Sequence, residues 1–424
     1  MLARLINIFD NSRLLPLFVV TICIQGGVVV SQFLIAPFVD PSLVGVVRSL
    51  ETVIALVVLA GSLGMQSIAI RDTSACLEMS SQSVVLRQVF LLVGATSCIV
   101  ILGIFIAHEF VITTAISYYV LTTSGLVLLT NLVRVTTGFA QGAKVINKIY
   151  LSLTLATGMG VILHVVLTRL YGVGGWIVAR YITEITCLLV VWWRLRAYVV
   201  PAFKFSEVKR SDLASIAGSG LIINASLFVR LLVDSLPVLT LTAMRIRTDE
   251  IGFFGLAILS LLLGQLPLAI IAQRMIPDLV EVLDDKSLIY GKFRLLLKSM
   301  VLVSSAMTAS LITGAAFWLI FVGGQYAPTA KYVLILAMSL PFKAIMLASG
   351  TMLVVLRVFH LSLKINMLEG LLVFAILYFL IPVLNGWAGV LAYVGGSLLS
   401  AILFYLAVVF QIKKFKGTNK RARM

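Results

Sequence analysis

Acidic residues are scarce in this chain: 17 Asp and Glu stand against 33 Lys and Arg in 424 residues, and charged residues make up only 12%. Cysteine, histidine and proline are few as well, at 4, 3 and 10. Four scattered cysteines (Cys23, Cys98 and Cys187 in apolar stretches, Cys76 in a polar one) offer neither a disulfide framework nor metal-ligand spacing. His108, His164 and His360 lie too far apart to form a metal-binding motif, so no metal or other cofactor is expected. No glycine-rich loop closing on Lys-Ser/Thr is present, which argues against ATP hydrolysis. The polar connections are short, which leaves little room for the sizeable outer loop expected of an intramembrane glycan polymerase or ligase. An enzyme is therefore not expected.

What the chain has in abundance is hydrocarbon: 61% apolar residues and a mean hydropathy of +1.11. About twelve apolar segments approach the ~20 residues needed to cross a bilayer. They span 14–34, 43–66, 88–107, 112–134, 146–169 and 175–196, then 214–236, 251–273, 295–321, 331–355, 362–383 and 388–410. Their polarity does not alternate, so barrel strands are excluded and helices are required to satisfy the backbone in lipid. The first run has no small-residue cleavage site and reads as a retained span, not a signal peptide.

Lysine and arginine follow the positive-inside pattern. With the N-terminus inside, the inner segments carry Arg4, Arg13, Arg71, Arg87, Lys144, Lys148, Arg194, Lys204, Lys209, Arg274, Lys286, Arg357 and the tail cluster Lys413 to Arg423. The outer segments carry only Arg169, Arg245, Arg247 and Lys331. Both termini are expected in the cytoplasm. The net charge of +16 is then explained by topology and by attraction to anionic lipid, and nucleic acid is excluded as a partner.

The longest polar interruption near the middle, around Pro201, Lys204 and Lys209, divides the chain into six spans and six spans. The expected organisation is an N-lobe over residues 1–205, a C-lobe over 206–412 and a basic tail over 413–424. Displacing one half by 207 residues aligns Gly45 with Gly252 and Gln66 with Gln273. An even number of spans per half implies a parallel repeat with a site between the halves. Trp176, Trp318 and Trp387 fall where an outer aromatic belt is expected, and Trp192 and Trp193 where an inner one is.

Charges inside apolar stretches are the functional signal. Each costs about 2.5–3.5 kcal/mol at the centre of a spanning helix. Three pairs, Arg48 with Glu51, Arg180 with Glu184 and Arg230 with Asp234, are spaced to share a helix face. Local neutralisation and snorkelling compete with a functional role for the first two pairs. Lys343, near Pro341, has no acid within a helical turn, and Glu369 is its expected intramolecular partner. Arg134 marks the inner end of the fourth span beside Asn131. Arg48, Arg134, Arg180, Arg230 and Lys343 are candidate ligands for an anion in a cationic cavity. Glu51, Glu184, Asp234 and Glu369 are candidate sites for a coupling H+ or Na+.

Several segments carry a resemblance: Val44-Gly45-Val-Val-Arg48, Gly61-Ser-Leu-Gly64 through Ile70-Arg71, Gly138-Phe-Ala-Gln-Gly142 and Gly389-Val-Leu-Ala392. With the length and the six-plus-six spans, they resemble the polysaccharide-transport branch of the multidrug/oligosaccharidyl-lipid/polysaccharide (MOP) exporter superfamily, in particular Wzx-type O-antigen flippases. The resemblance implies an all-α polytopic membrane protein of two six-helix lobes around a central cavity. It further implies an undecaprenyl-diphosphate-linked oligosaccharide as cargo, turned from the cytoplasmic to the periplasmic leaflet of a bacterial inner membrane by alternating access. Coupling to H+ or Na+, contact with membrane lipids and association with other glycan-assembly membrane proteins are part of that expectation. The drug-extruding MATE-like antiporters are the alternative. Their usual acid deep in the first span is missing from Thr21-Ile-Cys-Ile-Gln25. A membrane enzyme of glycan assembly ranks third.

Overall fold

The computed structural model describes residues 26–76, 78–111, 115–198, 210–282, 285–322, 324–356 and 358–414. The start of the first expected span with Thr21, Cys23 and Gln25, the basic Arg4 and Arg13, the connector around Pro201, Lys204 and Lys209, Arg357, and the tail beyond Lys414 lie outside the described residues. Every regular element in the described residues is helical. In chain order they are α1 (Gly27–Ile35), α2 (Pro41–Ser62), α3 (Met65–Ala75), α4 (Met79–Val111), α5 (Ala115–Thr122), α6 (Gly125–Gly142) and α7 (Tyr150–Arg194). There follow α8 (Arg210–Ala243), α9 (Thr248–Glu281), α10 (Lys286–Phe317), α11 (Ala327–Leu336), α12 (Leu340–Val355), α13 (Phe359–Leu384) and α14 (Gly386–Lys414).

Among the described residues, nine helices are long and apolar enough to cross a membrane. The twelve expected spans give nine because the fifth and sixth lie within the single element α7, and the first and fourth are present as shorter helices. The fifth and sixth spans are the two arms of α7, which turns back on itself at Gly172, whose φ of 59° and ψ of −138° are not helical; Gly160 packs on Thr183, and Arg194 Nε donates to Ser152 Oγ at 3.1 Å across the arms. That backbone is open to glycine and strained for any side chain. The fourth span consists of α5 and α6. The tenth consists of α11 and α12, joined through a short tight turn at Ala337–Ser339. Of the first, α1 is described.

The residues divide into two compact units. One holds the residues up to Val39 together with Leu50–Phe228; the other holds Asp40–Ser49 and Val229 onward. In the first unit, a core of Met65, Leu86, Val133, Phe139, Leu153 and Val191 ties α3, α4, α6 and α7 together. Leu50, Ile54, Leu126 and Ile177 form a second cluster there. In the second unit, Leu268, Phe293, Met300, Ala344, Met352, Phe404 and Val408 form the core of α9, α10, α12 and α14.

Lipid supplies no hydrophobic force between helices, so close approach depends on small residues. Gly138 and Gly142, four residues apart on α6, show this directly. A Cβ on Gly138 would lie 2.8 Å from the Gln66 carbonyl oxygen, and one on Gly142 2.6 Å from that of Ile70. The segment of the resemblance around these glycines is thus a packing seam against α3. Gly45 and Gly252 face each other in the second unit: a Cβ on Gly45 would collide with the Thr248 carbonyl, and one on Gly252 with that of Pro41. Helix hydroxyls return to their own backbone, as in Thr137 to Val133 O at 2.7 Å and Ser397 to Tyr393 O at 2.7 Å, which hides them from hydrocarbon.

Candidate functional site

In the second unit, α8, α12 and α13 bring four of the expected charges into one cluster. Arg230 grips Asp234 in a forked arrangement, Nε to Oδ2 at 3.0 Å and Nη2 to Oδ1 at 2.8 Å. Its remaining Nη1 donates to Glu369 Oε2 at 2.7 Å. Lys343 Nζ donates to Asp234 Oδ1 at 2.9 Å and stands 3.8 Å from Glu369 Oε1. The geometry revises one expectation. Asp234, read from spacing as a partner for Arg230 alone, is the nearer partner of Lys343, while Glu369 is the farther. The cause is tertiary: Asp234 lies one turn along α8 from Arg230, and its Oδ1 is reached from both sides.

Two cations and two carboxylates leave this cluster formally neutral, as a low-dielectric interior requires. Lys343 has a side-chain exposure of 1% and Glu369 of 2%, whereas Asp234 retains 31%. Asp234 is therefore the member open to exchange. The floor is aromatic: Lys343 Nζ sits 4.5 Å from the centroid of the Tyr393 ring, a favourable placement for a desolvated cation. Gln265 Nε2 donates to the Tyr393 hydroxyl at 3.3 Å. Tyr393, Gln265 and the nearby Asn366 carried no sequence signal, because an aromatic or amide inside an apolar run looks like ordinary packing.

A second cluster forms within the first unit, where α2 and α7 meet. Arg180 Nη1 donates to Glu184 Oε1 at 2.8 Å, one turn along α7, and its Nε lies 3.4 Å from Glu51 Oε1. The i,i+4 pair expected from spacing is present, and Glu51 is drawn to the same guanidinium. Trp176 also donates from Nε1 to Glu51 Oε1 at 2.9 Å. This corrects the aromatic-belt reading of Trp176. The indole is fully buried and packs at 4.4 Å, tilted by 57°, against His164, whose Nδ1 is 2.7 Å from the Gly160 carbonyl. A carboxylate acceptor explains why the ring is held inside.

Glu184, Arg180, His164, Thr157 and Thr183 border a small pocket of about 30 Å³. With two carboxylates and one guanidinium, the Glu51–Arg180–Glu184 trio carries one more negative than positive charge. Arg48, in the second unit, lays its aliphatic stem against Gly255, where a Cβ would clash. Arg134, on α6, lines a separate pocket of about 50 Å³. The expected residues therefore occupy several places: Arg230, Asp234, Lys343 and Glu369 share one cluster, Glu51, Arg180 and Glu184 another, and Arg134 and Arg48 belong to neither.

No protein-family model matches the sequence, and no curated protein sequence is significantly similar to it. Solved structures are similar throughout. A multidrug resistance MATE family transporter of the MOP superfamily, in an inward-facing conformation, superposes with a TM-score of 0.76 at 15% identity, over 94% of this chain and 98% of that one. The outward-facing conformation of such a transporter gives 0.68 at 14% identity, over 94% of each chain. A MOP superfamily transporter from Pyrococcus furiosus, described as having a binding pocket of reverse polarity that suggests a different function, gives 0.69 at 15% identity over 95% of each chain. At this identity the likeness establishes the fold. The chain has the all-helical, multi-pass architecture of MATE transporters of the MOP superfamily.

Proposed function

We propose that this protein is an ion-coupled membrane transporter that works by alternating access. The observation that carries the reading is the Glu51–Arg180–Glu184 trio. An excess carboxylate in an apolar interior calls for a cation, and Glu184 borders a pocket through which a proton or Na+ can reach it. The second-unit cluster supplies a complementary element. Its four charges are within reach of more than one partner, so a change of protonation at Asp234 would redistribute Arg230 and Lys343 between Asp234 and Glu369. The same fold is known in inward- and outward-facing forms, which supports alternating access.

For the cargo, the multidrug transporters that share the fold support an antiporter of organic cations driven by H+ or Na+. A specific observation favours a second cargo. The stretch Thr21–Gly27 carries no acid for an organic cation, while Arg134 lies in an apolar stretch and lines a pocket without carboxylates. That cation suits the diphosphate of an undecaprenyl-diphosphate-linked oligosaccharide flipped from the inner to the outer leaflet. Deletion of the gene in its native bacterium separates the two. Sensitivity to cationic drugs with an unchanged surface glycan establishes the antiporter. Loss of surface glycan with lipid-linked oligosaccharide accumulating on the cytoplasmic leaflet establishes the flippase. Neither phenotype, in a strain shown to express the protein, would contradict both.

A further inference from the structure

We propose that Arg134 is the anchor of an oxyanion-binding subsite in the first unit, built to take a phosphate group. Arg180, Arg230 and Lys343 each hold a carboxylate in the folded protein. Arg134 holds none among the described residues: no ion pair or hydrogen bond compensates its guanidinium. At longer range Glu184 attracts it and Arg180 repels it. An uncompensated cation in a membrane helix is costly unless an anion or water completes it.

The surroundings suit an anion. Arg134 shares its pocket with Ser62, Gln66 and Ser67, and no carboxylate lines that pocket. At Gly64, with φ of 67°, the chain turns to begin α3, whose N-terminus adds partial positive charge at the same pocket. Asn131 stands in the pocket wall at 1% exposure. Its Nδ2 is fixed to the Val58 carbonyl at 2.9 Å, and its Oδ1 has no partner. A phosphate that enters meets the forked donors of Arg134 and nearby hydroxyls, and a protonated oxygen or bound water can satisfy Asn131. The inference rests on the transporter reading for the source of the ligand, and the chemistry fits free phosphate or the phosphate of a lipid headgroup.

Binding is measured at equilibrium on the purified full-length protein, without transport, so it can fail while transport stands, and the reverse. Inorganic phosphate is titrated onto protein in phosphatidylcholine nanodiscs, and the titration is repeated in nanodiscs that also contain undecaprenyl phosphate. Saturable phosphate binding in the first set, weakened by the lipid in the second, shows that the lipid headgroup reaches the same site. Phosphate binding unaffected by the lipid identifies soluble phosphate as the source. Arg134→Gln should weaken binding at least about tenfold. Gln66→Glu places a carboxylate in the pocket and should also displace phosphate, with a melting temperature equal to or above wild type. It decides the matter if Arg134→Gln does not fold. Phosphate binding absent from wild type, or unchanged in Gln66→Glu, overturns the proposal.

Discussion

At the scale of single residues, the structure turns on which buried charges have partners. Lys343 is sealed from solvent and bridged to Asp234, so its removal leaves carboxylates without their cation. Lys343→Ala is expected to cost about 3–5 kcal/mol, read as a drop in melting temperature in detergent. Removing Asp234 in the same chain should return part of that loss, a coupling expected of side chains in direct contact. Additive losses would show that the 2.9 Å bridge is energetically silent. Trp176→Phe keeps an aromatic ring against His164 but deletes the donor to Glu51, a charge-assisted bond worth about 1.5–3 kcal/mol. An unchanged melting temperature would contradict the assignment.

The limits of sequence reading also lie at this scale. The pairs Arg180–Glu184 and Arg230–Asp234 were legible because one helical turn puts both members on one face. The partnership of Lys343 with Asp234 was not, since 109 residues separate them and no local period records a contact between helices. Trp176 looked like an interface residue because its position in a span was visible and its acceptor, Glu51, was 125 residues away.

At the scale of elements, span positions were legible because hydrocarbon thickness sets helix length, and the expected segments fall on α1 to α14. The break between the fifth and sixth expected spans was legible as well: the chain folds back at Gly172, the non-helical residue within α7, and sets Gly160 against Thr183. The breaks inside the fourth and tenth spans carried no such signal. Gly172→Ala should cost about 1–3 kcal/mol, because an alanine cannot hold that backbone without strain. Wild-type melting of Gly172→Ala would mean that the turn carries no strain. Glycines 45 and 252 were noted as a repeat match. Their shared physical reason is a close helix crossing that admits no Cβ at either position.

At the scale of the whole molecule, the balance of charge follows the architecture of the two units. The second unit pairs its clustered buried charges internally, whereas in the first the Glu51–Arg180–Glu184 trio has one carboxylate more than its cation, with Arg134 attracted to Glu184 at longer range. The inside-positive distribution of lysine and arginine makes a separate prediction. Cys76, in the turn between α3 and α4, should react with a membrane-impermeant maleimide in inverted vesicles and not in spheroplasts, in a variant where it is the sole cysteine. The opposite pattern would invert the topology.

The central claim is that an excess buried carboxylate couples cation movement to transport. The most direct measurement is solute-dependent H+ or Na+ flux into proteoliposomes, comparing wild type with Glu184→Gln reconstituted at equal density. Glu184→Gln is expected to melt as a folded protein while its flux falls to the level of protein-free liposomes. Wild-type flux in Glu184→Gln would contradict it.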